Sequence, residues 1–403
     1  MNTIELGKIT TWLSGGTPSR VIESYWNGDI PWISAFTLKQ TRLSDSDQHL
    51  TRAGVAAGSK LAPEGATLIL VRGMALHREV RVGTATRPLA FNQDVKALIP
   101  SSGVDPEFLV YSLQARADVI RGLVSSAGSG TGVLDTPRLK RLKLWVPSKD
   151  EQIRMREAIT DAESQCGALE LLIAKKRDVK RAMMEEILTG RIRLPGYSEA
   201  WIERPVSDLL EFKNGLNKAS QFFGHGTPIV NFMDVMRAPV ITADRVKGLV
   251  SLSRDEVSRF SARRGDMFFT RTSESVDEIG TTAVLVDDVR DAVFSGFVLR
   301  GRPIAPVNTT FLAYQFQLPS VRRQVVATAS YTTRALTNGG SLGRVRVHLP
   351  SSDEQAAIVA VLADADAELA ALERRLESAR AVKTGMMREL FTGRTRLPAE
   401  AAS

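Results

Sequence analysis

Side chains able to carry covalent or metal chemistry are few and widely separated in this sequence. The single cysteine, Cys166, has no histidine nearby in the sequence that could activate its thiol. The four histidines are far apart along the chain: His49, His77, His225 and His348. No spacing typical of a metal site occurs, and no pair of carboxylates stands out as an acid–base couple. The sequence therefore predicts neither a catalytic residue, nor a metal ligand, nor a cofactor.

Loops rich in Gly, Ser, Thr and Arg offer a different chemistry, which is hydrogen bonding to a polar ligand. Examples are Arg72–Arg78 and Arg271–Ser275. The glycine-rich run at 128–132 is not a dinucleotide fingerprint, because it follows a helical stretch and ends in Leu134-Asp135-Thr136-Pro137. A formal charge of +8 and a pI near 9.7 favour a polyanionic partner, most often nucleic acid.

Length and composition limit the organisation of the chain. At 403 residues, it is too long for one ordinary core and suits two or more domains. No stretch approaches the roughly 20 apolar residues of a membrane span, and the first residues lack the apolar core of a signal peptide. One cysteine excludes an internal disulfide framework and fits a reducing compartment. We therefore expect a cytoplasmic protein that does not contact a membrane.

The elements that position these loops are revealed by an internal repeat. The segment from Pro147 to Pro195 recurs at Pro350 to Pro398, an offset of 203 residues without a gap. Of the 49 aligned positions, 22 are identical. The period is far longer than that of a solenoid repeat, so the chain consists of two large copies.

Each copy of the repeat is predicted to form one long helix. Asp150 and Asp353 follow Pro-Ser and suit the N-cap or first turn, where an acidic side chain is favourable. Gly190 and Gly393 supply a left-handed residue just beyond the helix end. At 1.5 Å per residue, roughly 40 residues make a rod of about 60 Å.

Apolar residues of the repeat alternate in steps of four and three, which is typical of a coiled-coil seam. In the second copy they are Ile358, Leu362, Ala365, Leu369, Leu372, Leu376 and Ala379. The matching positions of the first copy are Met155, Ile159, Ala162, Cys166, Leu169, Ile173 and Lys176. We expect the seam to continue through Val179, Met183 and Ile187, and through Val382, Met386 and Leu390. The two helices are predicted to pack on each other; the alternative is that each lies on the core of its own domain.

The segments before each helix share a plan but not their polar loops. Gly65 to Leu70 matches Gly265 to Thr270, each a glycine-led apolar strand, and Phe108–Tyr111 aligns with Phe311–Tyr314 as the last strand of each segment. Between these anchors, the loops diverge freely. Short strands, frequent turn residues and one or two helices predict two globular α+β domains, separated by the two long helices.

Motifs in both segments carry a family resemblance. The first has Leu13-Ser14-Gly15-Gly16-Thr17-Pro18-Ser19, then Tyr25-Trp26-Asn27-Gly28-Asp29-Ile30-Pro31-Trp32-Ile33. The second has Asn214-Gly215-Leu216-Asn217-Lys218, Gly226-Thr227-Pro228-Ile229-Val230 and Phe294-Ser295-Gly296-Phe297. With the duplicated helix and its Thr-Gly-Arg end, this order of motifs resembles the specificity subunit of a Type I restriction-modification enzyme, over nearly the whole chain.

The resemblance implies a domain plan and a function. It implies target recognition domains at 1–146 and 197–349, each followed by a conserved spacer helix, at 147–196 and 350–398. In this family the two helices pack antiparallel, and each domain reads one half of a split double-stranded DNA target. The resemblance also implies two methyltransferase subunits as partners, with restriction subunits in the full complex. Because the second domain lacks the Gly-Gly-Thr-Pro-Ser and Ile-Pro-Trp runs, the two half-sites are expected to differ.

Motifs for the enzymatic steps are absent from the sequence. An adenine methyltransferase needs an Asn/Asp-Pro-Pro-aromatic stretch to grip the flipped base, and this chain has no Pro-Pro dipeptide. It also has no phosphate-binding Gly-x-x-x-x-Gly-Lys-Ser/Thr loop. We therefore expect a non-catalytic specificity subunit. The alternatives are a coiled-coil scaffold protein, or a fused methyltransferase-endonuclease with an unrecognised catalytic part.

Candidate DNA contacts are the polar side chains in or beside the divergent loops, since Arg, Asn, Gln, Ser and Thr can bond base edges. In the first domain these are Arg72, His77, Arg78, Arg81, Asn92, Gln93, Ser129 and Thr131. In the second they are Arg271, Thr272, Ser273, Ser295, Tyr331, Thr332, Arg334 and Asn338. For each one the alternative is an ordinary solvated loop residue, and Asn92 and Gln93 could instead satisfy backbone groups inside their turn.

Overall fold

The computed structural model describes residues 3–126, 130–331 and 334–397. The chain divides into two compact units, Met1–Leu171 with Glu373–Ser403, and Leu172–Leu372. Each unit contains one of the two divergent segments together with one part of each long helix. In the described ranges, no helix is both long and apolar enough to cross a membrane.

The first unit is built from short strands and helices. Its strands are β1 (Thr3–Glu5), β2 (Thr10–Ser14), β3 (Trp26–Ile33), β4 (Arg42–Leu43), β5 (His49–Leu50), β6 (Lys60–Ala62), β7 (Thr67–Leu70), β8 (Val82–Ala85), β9 (Leu89–Phe91), β10 (Val95–Pro100), β11 (Val124–Ser126), β12 (Gly132–Leu134) and β13 (Lys143–Trp145). Its short α-helices are α1 (Arg52–Gly58), α2 (Pro106–Ala115), α3 (Ala117–Arg121) and α4 (Thr136–Lys140), and α5 (Lys149–Leu188) begins in this unit. Single 3-10 turns lie at Leu6–Lys8, Glu23–Tyr25 and Met74–His77.

Two sheets form the body of the first unit. A five-stranded sheet has the order β2-β10-β7-β8-β4, in which all neighbours are antiparallel except β4 and β8. A four-stranded sheet has the order β5-β3-β9-β6. The pairs β1-β13 and β11-β12 are antiparallel. Strand β7 is buried at every residue, as expected for the centre of a sheet that is covered on both faces.

The second unit repeats this inventory with local differences. Its strands are β14 (Ile202–Pro205), β15 (Leu210–Asn214), β16 (Phe223–Val230), β17 (Val240–Ile241), β18 (Gly248–Val250), β19 (Met267–Thr270), β20 (Thr272–Ser273), β21 (Thr282–Leu285), β22 (Val293–Phe294), β23 (Val298–Pro303), β24 (Ser330–Tyr331), β25 (Ala335–Leu336) and β26 (Arg346–Leu349). Its α-helices are α6 (Phe232–Arg237), α7 (Arg254–Arg259), α8 (Thr309–Gln315), α9 (Pro319–Ala327), α10 (Gly339–Gly343) and α11 (Ser352–Phe391), the last of which ends in the first unit. Single 3-10 turns lie at Val206–Asp208, Ser220–Phe222, Ala243–Arg245 and Val276–Glu278.

The main sheet has the same strand order in both units. In the second unit it is β15-β23-β19-β21-β17, which corresponds strand for strand to β2-β10-β7-β8-β4. The edge pair β17-β21 is parallel, as β4-β8 is. Differences lie at the periphery, where β20-β25-β24 form a three-stranded sheet in place of the hairpin β11-β12. The predicted α+β class, with a shared skeleton and divergent loops, is confirmed.

One element was wrongly predicted in both segments. Phe108–Tyr111 and Phe311–Tyr314, expected as strands, lie within helices α2 and α8. Each helix begins after a capping residue, since the side chains of Asp105 and Asn308 accept hydrogen bonds from first-turn amides. The runs are apolar at every position because these helices are buried within the unit, and such a run does not distinguish a helix from a strand.

The two long helices begin and end as the repeat predicted. Asp150 and Glu151 lie in the first turn of α5, and Asp353 and Glu354 lie in that of α11. After each helix a glycine adopts a left-handed conformation, with φ of 71° at Gly190 and 76° at Gly393. Both helices are 40 residues long.

Within each unit, parts of α5 and α11 lie antiparallel and also cover the domain core. In the first unit Glu170 pairs with Arg380 at 2.6 Å, and Glu163 pairs with Lys383 further along α11. Met155, Ile159, Leu390 and Phe391 belong to the same core cluster as the main sheet. In the second unit the corresponding core includes Met184, Ile187, Leu188, Ile358 and Leu362. The two alternatives posed by the sequence therefore both hold, because each helix packs on its partner and on a domain.

The predicted course of the seam is wrong at one step in each helix. Val179 is 55% exposed and Val382 is 59% exposed. The preceding seam step is three residues in both helices, from 173 to 176 and from 376 to 379. A regular heptad alternates steps of three and four, so the next seam residue lies four positions further on. Those positions are Lys180 and Lys383, whose ammonium groups contact carboxylates of the facing helix.

Candidate nucleic-acid interface

In the first unit, the loop after the central strand β7 lies against the hairpin β11-β12. Arg72 is exposed, and its backbone forms a bridge with Val133 of β12. The amide of Gly73 donates to the carbonyl of Gly132 at 2.9 Å. A ring nitrogen of His77 lies 3.0 Å from the carbonyl oxygen of Gly130. The predicted residues Arg72 and His77 are thus brought together with the turn that contains Thr131, whereas Ser129 lies outside the described residues.

A second group of predicted residues lies at the turn after β9. Asn92 is 6% exposed, and its side chain closes the turn by accepting from the amide of Asp94 and donating to that residue's carboxylate, both at 3.1 Å. Gln93 is exposed and accepts a hydrogen bond from the Thr17 hydroxyl at 2.8 Å. The two neighbours therefore differ, because Asn92 shapes the turn and Gln93 faces outward.

Gln93 borders an open cleft of about 630 Å³, whose other walls include Thr17, Arg20, Phe36 and Gln48. The guanidinium of Arg20 donates to the side chain of Gln48 at 3.3 Å and lies 4.8 Å from the ring centre of Trp26. Donors, acceptors and an aromatic ring thus line one cleft. This is the mixture of groups that contacts base edges and thymine methyls in protein–DNA complexes.

The remaining predicted arginines of the first unit have different surroundings. Arg81 is tied into the fold, since its Nε donates to Glu79 at 2.7 Å and its Nη1 donates to the carbonyl of Ala35 at 2.8 Å. Arg78 is exposed, and its carbonyl accepts from the guanidinium of Arg121 at 3.3 Å. Arg81 therefore holds the loop of residues 72–81 against the turn at residues 34–37, and Arg78 stays exposed beside it.

In the second unit, the three-stranded sheet β20-β25-β24 gathers most of the predicted residues. Arg271 immediately precedes β20; its amide donates to the carbonyl of Phe297 at 3.1 Å, and its carbonyl accepts from the amide of Thr337 at 3.0 Å. Thr272 pairs with Leu336. On the hairpin β24-β25, Tyr331 is 63% exposed and Arg334 lies 3.5 Å from Glu274. Arg334 and Glu274, which are 60 positions apart in the sequence, thus meet beside one small sheet.

Three other predicted residues of this unit are occupied within the fold. Ser273 is buried and donates to the carboxylate of Glu278 at 2.8 Å. Ser295 is buried and accepts from the amide of Phe297 at 3.4 Å. Asn338 caps α10 by accepting from the amide of Ser341 at 3.0 Å. Thr332 lies outside the described residues.

Exposed apolar residues in these loops were not among the predicted contacts. Phe36 is 70% exposed, with the ammonium of Lys39 at 4.2 Å from its ring centre, and Phe297 is 61% exposed beside the backbone of Arg271. The sequence shows both phenylalanines, each as a large apolar residue within a polar loop, and this pattern could have indicated a contact site. The predicted contacts are hydrogen-bonding residues alone, although aromatic and apolar groups also contact bases.

A polar group of three residues, which occurs once in each unit, connects helix α2 or α8 to the two long helices. In the first unit, the hydroxyl of Tyr111 on α2 donates to Glu163 of α5 at 2.9 Å, and Lys383 of α11 lies 3.4 Å from the same carboxylate. In the second, the Tyr314 hydroxyl donates to Asp366 at 2.7 Å, and that carboxylate pairs with Lys180. All three positions are related by the 203-residue offset. We call these groups the tyrosine triads.

Electrostatics within the triads follow from burial. Both tyrosine side chains are essentially buried, at 0% and 1% exposed. Burial, with the adjacent Glu163 carboxylate, raises the pKa of Tyr111 to about 12, and burial with the adjacent Asp366 also raises the pKa of Tyr314. The hydroxyls therefore stay protonated and act as hydrogen-bond donors throughout the physiological range.

A second repeated contact fixes the start of each long helix. The side-chain amide of Gln152 donates to the carbonyl of Pro147 at 2.9 Å, and its oxygen accepts from the amide of Asp105 at 2.8 Å. Gln355 repeats this with Pro350 at 2.9 Å and Asn308 at 2.9 Å. The glutamine of the Asp-Glu-Gln motif thus joins the start of each long helix to the residue that caps a short helix, α2 in the first unit and α8 in the second.

In the described ranges, no group of three or more His, Cys, Asp or Glu side chains could hold a metal ion. Cys166 is buried at 7% exposure in the helical seam, as the heptad pattern predicted.

Comparison with known proteins agrees with this arrangement. Residues 1–173 match the family described as "Type I restriction modification DNA specificity domain". The chain is 28% identical over 182 residues to the Type I restriction enzyme EcoR124I/EcoR124II specificity subunit of Escherichia coli, which covers 45% of each chain. It is 30% identical over 285 residues to the MjaIX specificity subunit of Methanocaldococcus jannaschii, covering 66% of this chain and 64% of that relative. The matches therefore span less than two thirds of these relatives' length.

The fold is similar over a longer range. The crystal structure of a Type I restriction-modification system S subunit from M. genitalium aligns with a TM-score of 0.54 at 12% sequence identity, covering 97% of this chain and 96% of that chain. At this identity the likeness concerns the fold. The matched specificity domain and the two relatives confirm the resemblance seen in the sequence: the chain is similar to specificity subunits of Type I restriction-modification systems.

Proposed function

We propose that this chain is the non-catalytic DNA-specificity subunit of a Type I restriction-modification complex. Residues 1–146 and 197–349 act as target recognition domains, and residues 147–196 and 350–398 act as the spacer helices. The chain recognises a split, asymmetric double-stranded target. It positions two methyltransferase subunits there, with restriction subunits in the full complex, in the cytoplasm.

One observation carries this proposal most directly. The two units have the same strand order in the main sheet, and each contains one tyrosine triad, yet their loops differ in structure. The turn Ser34–Thr37 of the first unit is replaced by the capped helix α6 in the second, and the hairpin β11-β12 is replaced by a three-stranded sheet. Conserved supports with unlike loops suit two readers of different half-sites.

We assign the contacts to DNA by exposure and by occupation within the fold. The exposed residues Arg72, His77, Gln93, Tyr331 and Arg334 and the half-buried Arg271 are proposed to contact DNA, assisted by Arg78, Thr131 and Thr272. The residues occupied in the fold are proposed to shape the reading loops: Arg81, Asn92, Ser273, Ser295 and Asn338. Phe36 and Phe297 add apolar contacts to thymine methyls.

The pairing with two methyltransferase subunits is supported by the repeat. Val179 and Val382 occupy equivalent positions on the two long helices, and both are more than half exposed. An exposed apolar side chain that occurs twice at the same offset suits two copies of one partner. The proposed docking positions are therefore related by the same repeat as the helices.

A selection experiment tests the proposal. The full chain, purified with its co-expressed methyltransferase subunits, is mixed with random duplexes, and the bound fraction is sequenced. We expect enrichment of one split motif with unlike halves, with half-site centres about one helical turn, roughly 34 Å, apart. Binding without any enriched motif would favour a scaffold instead. S-adenosylmethionine binding by the isolated chain would favour a fused methyltransferase.

A further inference from the structure

The second unit contains an arginine-lined cleft outside the loops assigned above. It has a volume of about 950 Å³ and lies between α7, residues 261–264 and residues 288–292. Four arginines line it: Arg254, Arg263, Arg264 and Arg290. Asp288 and Asp291 also line it. Within the described ranges, one ion pair forms among these lining residues, between Arg290 and Asp291 at 3.6 Å. The guanidinium groups of Arg254, Arg263 and Arg264 have no acidic partner in that part of the chain.

Two further arginines lie behind the wall of this cleft. Arg300 is only 4% exposed, and its Nη1 donates to the carbonyl of Ser261, which lines the cleft, at 2.8 Å. Arg302 donates to the same carbonyl at 3.1 Å and pairs in bidentate fashion with Asp266 at 2.6 and 2.8 Å. Among the described residues, Arg300 has no such carboxylate and its Nε is unpaired; its guanidinium lies 5.4 Å from the ring centre of Phe294.

Burial of this positive charge has an electrostatic consequence. Burial and the neighbouring guanidinium groups of Arg302 and Arg263 lower the pKa of Arg300, although Asp266 opposes them. Charges behind a low-dielectric wall are screened weakly and focus their field into the adjoining cleft. Guanidinium groups are also weakly hydrated and planar, which suits the paired oxygens of a phosphate. The cleft is therefore built to attract an anion of phosphate type.

Neighbouring strands connect the cleft to the reading loops. Strand β22 begins just after Ala292, which lines the cleft, and ends just before Ser295. Strand β16 passes from Thr227, also in the cleft wall, to Val230. Three residues of extended chain span about 10 Å. Duplex DNA carries one charge per about 1.7 Å of its axis, so a duplex held at the 295–297 turn brings phosphates within reach of the cleft.

The first unit lacks the central pair of this cluster. Aligned on the glycine that precedes the central strand, Arg263-Arg264-Gly265 corresponds to Pro63-Glu64-Gly65. Two positive charges in the second unit thus correspond to one negative charge in the first unit. Any anion contact made here belongs to the second domain alone.

We propose that this arginine cleft binds the phosphate backbone of the DNA that flanks the half-site read by the second domain. This inference rests on the proposed function, because it takes duplex DNA as the chain's ligand. The contact is independent of base sequence, so it contributes to affinity and to the placement of the second domain and leaves base preference to the loops.

The test is the salt dependence of DNA binding by the full chain with its co-purified subunits. The Arg263→Ala/Arg264→Ala double variant is compared with wild type on the same split target between low and moderate salt. Each lost phosphate contact lowers the magnitude of the slope of log K against log [salt] by about 0.9, so the double variant is expected to lose nearly two. Its preference for the target over a scrambled duplex should be unchanged.

Two controls make the result specific. The Arg204→Ala/Arg323→Ala variant removes two exposed arginines of the same unit from outside the cleft and should keep the wild-type slope. The Arg263→Lys/Arg264→Lys variant keeps both charges and should show most of the wild-type salt slope. Equal slopes for the cleft variant and wild type would overturn the inference. If the slope stayed unchanged and the variant also lost its co-purified subunits, the cleft would instead bind an acidic protein partner. A wild-type complex that selects no split target would instead refute the proposed function.

Discussion

The hydroxyl of Tyr111 provides a sharp test of how a reading domain is held on the long helices. In the Tyr111→Phe variant the ring stays in the core, where it lies 5.7 Å from the ring of Phe391, and the hydrogen bond from the hydroxyl to Glu163 is lost. Hydrogen bonds to charged groups contribute about 1.5–3 kcal/mol, against about 0.5–1.5 kcal/mol for neutral pairs. We expect a loss at the lower end of the first range, because Glu163 keeps its contact with Lys383.

The assay is chemical unfolding of the full chain, followed for the single variants and for a double-mutant cycle with Glu163→Gln. In the Glu163→Gln background the tyrosine faces a neutral amide, so removing its hydroxyl should cost about 1 kcal/mol less than in wild type. Tyr25→Phe is the matched control, because the Tyr25 hydroxyl has no hydrogen-bond partner in the described part of the same unit. If Tyr111→Phe changed the free energy of unfolding no more than Tyr25→Phe does, the triad would not hold the domain.

The same tyrosine predicts a dependence on alkaline pH. Its pKa is raised to about 12 in the folded chain, mainly by burial, whereas an unfolded tyrosine titrates near 10. Above about pH 10 the unfolded state therefore loses this proton first, and the stabilisation from the protonated hydroxyl declines as pH rises toward 12. Wild type should lose stability more steeply than Tyr111→Phe between pH 10 and 11. Parallel curves would contradict the assignment.

Three further changes separate reading from support. Arg271→Ala should relax base preference in one half-site only, at a cost of about 1–3 kcal/mol there, measured by competition between target variants; equal loss at both halves would make Arg271 a structural residue. Asn338→Ala removes the cap of α10 and should lower the free energy of unfolding by about 1 kcal/mol, and a changed base preference at unchanged stability would refute its supporting role. Phe391→Ala empties a site packed against Phe108 and should cost about 3–5 kcal/mol of stability, and a loss below 1 kcal/mol would show that α11 does not contribute to the first core.

The long helices were predictable from the sequence because every signal repeats. Start, stop and heptad spacing occur twice at one offset, and the left-handed glycines lie where the sequence placed them. The error at Val179 and Val382 came from following apolar residue type instead of heptad geometry. Lysine occupies the seam at positions 180 and 383 because a carboxylate of the facing helix pairs with it there. A partner from 186 or 220 residues away is not visible in a local pattern.

The domains were predictable in class and less so in detail. The central strands β7 and β19 follow a glycine, with φ of 80° at Gly65 and 86° at Gly265, and both were recognised. Helices α2 and α8 were mistaken for strands because burial makes their sequences apolar throughout. In such runs the capping residue, Asp105 or Asn308, was the informative signal.

The candidate contacts illustrate a different limit. Residue type alone does not separate an exposed side chain, proposed to contact DNA, from one that shapes the loop. Asn92 and Gln93 are adjacent and chemically similar, yet one is buried in its own turn and the other is exposed. The same contrast separates Ser273 from Tyr331. What divides them is the position of backbone groups brought in from elsewhere in the chain, which the sequence does not display.

The measurement that tests the central claim most directly is modified-base sequencing of a genome in which this chain is expressed with its methyltransferase subunits. Our account predicts methylated adenines at one split motif whose two halves differ, and a change in one half alone when the 197–349 segment is replaced by that of another specificity subunit. A palindromic motif, or a replacement that alters both halves together, would contradict the assignment of one reader to each unit.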